Sequence, residues 1–109
     1  MIDWGRVADL KSDVGADAFE EVVALFLEEV EEAISHLNAA KRGGGLPDAL
    51  HFLKGSALNL GFESFARACA AAEKTCAAAG GAMVQISDLV DCYQQSKRVF
   101  LSGATSAAA

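Results

Sequence analysis

The run His51-Phe52-Leu53-Lys54-Gly55-Ser56-Ala57-Leu58-Asn59-Leu60-Gly61 places an imidazole, an ammonium three residues on and a glycine four residues on within one short stretch. At 3.6 residues per helical turn, positions i, i+3 and i+4 stack on one side, so His51, Lys54 and Gly55 share a face while apolar residues fill the other. An imidazole is a nucleophile or a proton carrier, and a neighbouring lysine supplies positive charge where a phosphoryl group on the ring would sit. Gly55 is the informative member. In mid-helix it costs roughly 1 kcal/mol relative to alanine, in a chain otherwise generous with alanine. Clearance is the simplest physical reason: a missing side chain leaves the ring open to a large reactant or to another protein's backbone.

These residues resemble the active helix of histidine-containing phosphotransfer (HPt) domains of two-component phosphorelays. The family pattern is His-x-Leu-Lys-Gly-Ser/Ala followed by an apolar-Gly helix end, and His51 to Ser56 with Leu60-Gly61 match it. Val14-Gly15-Ala16-Asp17 ahead of a long helix with Phe26-Leu27-Glu28-Glu29, and the segment from Cys69 to Glu73, extend the resemblance over nearly the whole chain to about Leu101. The resemblance implies that His51 carries the phosphoryl group, that Lys54 assists it and that Gly55 keeps it accessible. It also implies that response-regulator receiver domains donate to and accept from His51, with a hybrid sensor histidine kinase as a further partner. Glu73 lies where some family members bond the other ring nitrogen; a solvated helix residue is the competing reading. Ser56 is a candidate to bond ring or phosphate, with a helix-packing role equally open. Asn59 reads as a polar helix residue.

Length and composition agree with a small module. A chain of 109 residues is one domain at most, too small to include an ATP-binding kinase domain as well. With 52% hydrophobic residues and one proline it reads as a compact helical protein. A net charge of −6 argues against nucleic acid or an anionic membrane as partner. The N-terminus, Met1-Ile2-Asp3-Trp4-Gly5-Arg6, lacks the basic flank and apolar run of a secretory signal, and no stretch suits a membrane span. A cytoplasmic, monomeric protein is therefore expected, and the start at Met1 favours a free protein over an excised domain.

Cys69, Cys76 and Cys92 are odd in number and sit in helical patterns, which fits a reducing compartment and buried small apolar residues. A metal site built from these thiols would lack any Cys-x-x-Cys or His-x3-His spacing. No cofactor is expected in this chain, and no carboxylate cluster near His51 suits Mg2+, so a metal would come with the partner's receiver domain.

Apolar spacing predicts a short helix from Asp3 to Lys11, then a long one from Asp17 to Lys41 with Phe19, Val22, Val23, Phe26, Leu27, Val30, Ile34 and Leu37 as its stripe. Glu28, Glu29, Glu31 and Glu32 read as a solvated face, with cation binding the remote alternative. His36, without a Lys-Gly pair nearby, reads as an exposed or rim histidine. Arg42-Gly43-Gly44-Gly45 reads as a flexible connection and not a nucleotide loop, because Gly-x4-Gly-Lys-Ser/Thr is absent.

Pro47 and Asp48 open the third helix, Leu50, Leu53, Ala57 and Leu60 form its buried stripe, and Gly61 stops it. A fourth helix is predicted from Glu63 to Ala79, with Phe65, Ala66, Cys69, Ala72 and Cys76 inward. The last is predicted from Val84 to Leu101, with Ile86, Leu89, Val90, Tyr93, Val99 and Phe100 inward and Lys97 breaking the repeat. The expected fold is all-α: an antiparallel up-down four-helix bundle with a short additional N-terminal helix. Residues 1–101 form the domain and 102–109 a flexible tail.

Such a bundle, its core filled, offers little concavity, so chemistry at His51 would occur at the surface in a complex. The function expected is phosphotransfer between receiver aspartates, without autonomous kinase activity. The alternative is a bundle that docks a receiver or kinase without being phosphorylated.

Overall fold

Every regular element among the described residues is helical, and the joints fall mostly where glycine and proline punctuate the sequence. The computed structural model describes the backbone of residues 1–108 and the side chains of residues 1–103. Its helices are α1 (Trp4–Val14), α2 (Ala16–Ser35), α3 (Leu37–Gly43), α4 (Leu46–Leu60), α5 (Glu63–Ala79) and α6 (Ile86–Ala108), with a 3-10 turn at Gly81–Met83 before α6. The molecule measures 45 × 20 × 19 Å. α6 continues past the expected boundary at Leu101 through most of the segment expected as a flexible tail, 102–109; Ala109 and the side chains of 104–109 lie outside the described residues.

Asp3 begins the chain's first helix without joining it. Its carboxylate accepts from the Arg6 N–H at 3.1 Å, which satisfies one of the donors that a helix start leaves open. The long helix predicted from Asp17 to Lys41 is two helices. Ser35 Oγ donates to the Glu32 carbonyl at 2.5 Å, and His36 adopts φ −97°, ψ 0°. A hydroxyl bonding back onto the preceding turn competes with the backbone ladder and bends it. α3 restarts with Leu37, which is fully buried.

The remaining corrections lie around α6. Val84, predicted as its first residue, is extended (φ −78°, ψ 130°), and its carbonyl accepts from Lys41 Nζ at 2.7 Å. That bond ties α3 to the segment entering α6. Val99 is exposed, whereas Ser96 is fully buried beside Ile86, Leu89, Tyr93 and Phe100 in the core set. The inward positions 86, 89, 93, 96 and 100 follow a spacing of three and four, and Val99 falls about 100° round from Phe100. Lys97 interrupts the apolar repeat for a reason: its ammonium donates to Glu31 Oε2 at 2.6 Å, and the Tyr93 hydroxyl donates to the same oxygen at 2.7 Å.

Glu31 is thus a cross-link from α2 to α6 as well as a member of the acidic face, its side chain 41% exposed. Lys97 first, and the Tyr93 hydroxyl second, hold its carboxyl below the usual carboxylate range. A carboxyl whose folded pKa is depressed stabilises the fold above its unfolded pKa and loses that contribution as pH falls through the folded one. Wild type should therefore exceed Glu31→Gln in unfolding free energy at pH 7 and converge with it near pH 3, measured by urea unfolding at both pH values.

α4 and α5 pack most extensively against each other. Leu46, Leu50, Leu53, Ala57 and Leu60 of α4 face Phe65, Ala66, Cys69 and Ala72 of α5 in one core, to which Phe62 and Tyr93 add aromatic edges. The small side chains on α5 allow the close approach. Gly61 makes the corner. Its φ of +85° closes α4 while the Phe62 N–H returns to the Ala57 carbonyl at 2.8 Å, a left-handed end that favours glycine.

The Gly61 carbonyl also accepts from the Asp3 N–H at 2.7 Å, and a Cβ there would lie 2.8 Å from the Asp3 carbonyl oxygen and 2.9 Å from Val7 Cγ2. Gly61→Ala combines a left-handed penalty with a backbone clash. It should cost about 2–4 kcal/mol in unfolding free energy, measured by urea denaturation.

Candidate functional site

Burial of the leucines at positions 46, 50, 53 and 60 fixes the rotation of α4 and turns His51 outward, with its side chain 74% exposed. Lys54, one turn on, lies half-buried against α5. Its Nζ is 3.0 Å from Glu73 Oε1, and the other Glu73 oxygen, Oε2, is 3.5 Å from His51 Nδ1. Glu73 sits on the α5 face toward α4, with its side chain 24% exposed. One carboxylate thus bridges the imidazole and the ammonium. The reading of Glu73 as a solvated helix residue does not describe it.

The Lys54 ammonium, more than the imidazole, holds the Glu73 carboxyl below its ordinary range, against the opposing pull of partial burial. Glu73 is therefore anionic at neutral pH. With Nδ1 toward Glu73, Nε2 is the ring nitrogen left facing outward; among the described residues it makes no hydrogen bond or ion pair. An imidazole whose Nδ1 proton is held by a carboxylate presents its Nε2 lone pair as the nucleophile.

Gly55 is exposed, and a Cβ built on it meets nothing within 4 Å. No helix crossing within this chain requires a glycine here. Ser56 is half-buried, without a side-chain hydrogen bond among the described residues. The Asn59 side chain is exposed, and its backbone carbonyl accepts from Arg6 Nε at 3.1 Å. Phe52 and Leu58, 47% and 55% exposed, are apolar residues beside the site that the sequence did not single out. Leu58 lies two turns beyond His51 on the same face, a placement legible from i+7 spacing once the buried stripe is known.

His36 stands at the α2–α3 joint, exposed and outside the cluster formed by His51, Lys54 and Glu73. The three cysteines are free thiols. Cys69 is fully buried, and burial pushes its thiol up to about 12, while burial also raises Cys92. Protonated thiols of that kind are poor nucleophiles and poor metal ligands. Among the described residues no group of three or more His, Cys, Asp or Glu side chains is placed to hold a metal ion.

The expected lack of concavity is corrected away from this face. A groove of about 640 Å³ opens between α1, α2 and α6, lined by Lys11, Phe19, Val23, Leu27 and Phe100 among others. None of its lining residues belongs to α4 or α5.

Compared with known families, the sequence model of the Hpt domain matches residues 21–99, which include His51, Lys54, Gly55 and Glu73. The chain belongs to the Hpt domain family. Hpt domains are phosphocarriers of two-component signalling that work with receiver domains and kinases. The match begins beyond Val14-Gly15-Ala16-Asp17, so that part of the resemblance lies outside it. A search of curated proteins and of solved structures found no match. Among its described residues, no helix of this Hpt domain is long and apolar enough to cross a membrane.

Proposed function

We propose that this Hpt domain carries a phosphoryl group on His51 Nε2 between aspartates of response-regulator receiver domains. The observation that supports it most is the open Nε2 of an exposed imidazole whose Nδ1 faces Glu73, with Lys54 beside it and free space above Gly55. In this reading Glu73 sets the reacting tautomer, Lys54 stabilises charge on the transferring group, Gly55 leaves room for the receiver, and Phe52 and Leu58 help to seat it. Ser56 stands near enough in sequence to assist, and no bond it makes adds to the case.

The step is an in-line displacement. The Nε2 lone pair forms an N–P bond as the P–O bond of the receiver's aspartyl phosphate breaks, and the aspartate leaves as a carboxylate. Positioning and charge stabilisation do most of the work in such loose transition states. Lys54 acts as a point charge on the equatorial oxygens. Glu73 is the carboxylate beside His51 and is already engaged by Lys54, so the residues present do not form a Mg2+ site; any divalent ion belongs to the receiver.

The long helices α2, α4, α5 and α6 as an antiparallel up-down bundle, a monomer in the cytoplasm, and a hybrid sensor kinase upstream complete the proposal. The acidic balance and absence of a basic patch motif argue for a protein partner and not nucleic acid.

Incubation with a phosphorylated receiver tests the reading: label should move to the Hpt domain and back. Binding without transfer would favour a docking module that carries no phosphate. Lys54→Ala should slow transfer roughly ten- to a hundredfold at subsaturating donor and lower the unfolding free energy by less than about 1 kcal/mol. Rapid-quench transfer and urea unfolding measure the two.

A further inference from the structure

Glu73 serves two partners with one charge, and phosphorylation changes what each partner needs. In the resting site Lys54 neutralises much of the carboxylate's field at the ring. Glu73 Oε1 is shielded from solvent, and the Lys54 ammonium, its Nζ 3.0 Å away, is the main group that keeps the carboxyl ionised. A phosphoryl group, with two negative charges, competes with that single carboxylate for the ammonium. The ring also changes. A neutral imidazole that attacks through Nε2 keeps its Nδ1 proton and becomes a phosphorylated imidazolium, with one positive charge on the ring and two negative charges on the phosphoryl oxygens.

We infer that phosphorylation of His51 draws Lys54 from Glu73 to the phosphoryl oxygens, and that the released carboxylate then keeps the phosphorylated ring protonated at Nδ1. The inference rests on His51 as the phosphoacceptor. It links both directions of transfer to one ion-pair exchange. With Lys54 on Glu73, the ring faces a carboxylate whose charge is already paired. With Lys54 on the phosphoryl group, Glu73 holds the imidazolium. When the N–P bond breaks toward a receiver carboxylate oxygen, its electron pair returns to Nε2 and a neutral imidazole leaves, still carrying its Nδ1 proton. A deprotonated ring would have to leave as an imidazolide anion, a far poorer leaving group.

The charged groups around His51 are few. On α4 they are Asp48, one turn before it, and Lys54; on α5 they are Glu73, with the buried and protonated Cys69 thiol one turn earlier. Among the described residues no charged side chain of α1, α2, α3 or α6 forms an ion pair with His51. Among the described residues Glu73 is thus the charged side chain within ion-pair distance of the ring.

The test uses phosphoramidate as donor, which forms the N–P bond to His51 with loss of ammonia and needs no receiver. Ring protonation is followed by 15N and 31P NMR against pH in wild type, Glu73→Gln and Lys54→Met, in both states of His51. Gln keeps a carbonyl oxygen to accept from Nδ1–H and removes only the charge. Its phosphorylated ring should bind the proton about tenfold more weakly than wild type, and its unphosphorylated ring should change by less than half of that on the logarithmic scale. Lys54→Met, which frees Glu73 in the resting protein, should raise the proton affinity of the unphosphorylated ring. Equal titration of the phosphorylated rings of wild type and Glu73→Gln overturns the exchange, as does an equal decrease in both states. A 31P signal carried by another residue overturns the assignment of His51 itself.

Discussion

The His51→Gln variant is expected to accept no label from a phosphorylated receiver, while His36→Gln accepts it at the wild-type rate. Glutamine retains a polar side chain at an exposed helix position, so the fold should survive; surface substitutions of this kind usually change stability by about 0.5 kcal/mol or less. The loss is complete because the α4–α5 face has no second imidazole. Lys54 is cationic and Glu73 is paired with it, and Cys69 is buried with its thiol protonated. His36, at the joint between α2 and α3, has no ion pair among the described residues and lacks both an adjacent lysine and a facing carboxylate. The labelled wild-type protein should lose phosphate in acid and keep it in base, as a phosphoramidate does. Label that follows His36, or that survives loss of both histidines, would refute the assignment.

Gly55 should separate stability from function. Its position has an ordinary helical backbone and free space where a Cβ would project, so Gly55→Ala should stabilise the protein by up to roughly 1 kcal/mol. The same methyl should already slow transfer from a receiver. Gly55→Gln should keep the helical circular dichroism spectrum and lower the transfer rate roughly a hundredfold, because its side chain rises from the next turn into the path of the attacking ring's partner. Thermal melts and rapid-quench transfer on both variants decide the matter. Full activity in Gly55→Gln would show that the glycine does not serve access. Unfolding of both variants would contradict the open space seen above it.

Where sequence reasoning failed, the missing information was nonlocal. The Ser35 hydroxyl that bends the chain at His36 was visible as a residue type but not as a hydrogen bond. Ser96 was not among the inward residues because a hydroxyl in the core gives no apolar signal, and Val99 passed for a core residue because it does. Glu31 read only as one of an acidic run; its bonds to Tyr93 and Lys97, more than sixty residues away, leave no local signal.

What the sequence determined by itself was whatever depends on contacts within a turn or two. Periodicity located five of the helices approximately, the Pro47 and Gly61 signals bounded α4, and i, i+3, i+4 spacing put His51, Lys54 and Gly55 on one face. Those relations follow from helix geometry alone. Only the tertiary structure decided which way that face points, because the rotation of α4 is set by burying its leucines against α5. It alone also decided that Glu73 stands 3.0 Å from Lys54 and 3.5 Å from His51. An acidic residue on another helix meets its partners through the packing angle and offset of two helices, which are set by side-chain interdigitation across the whole interface.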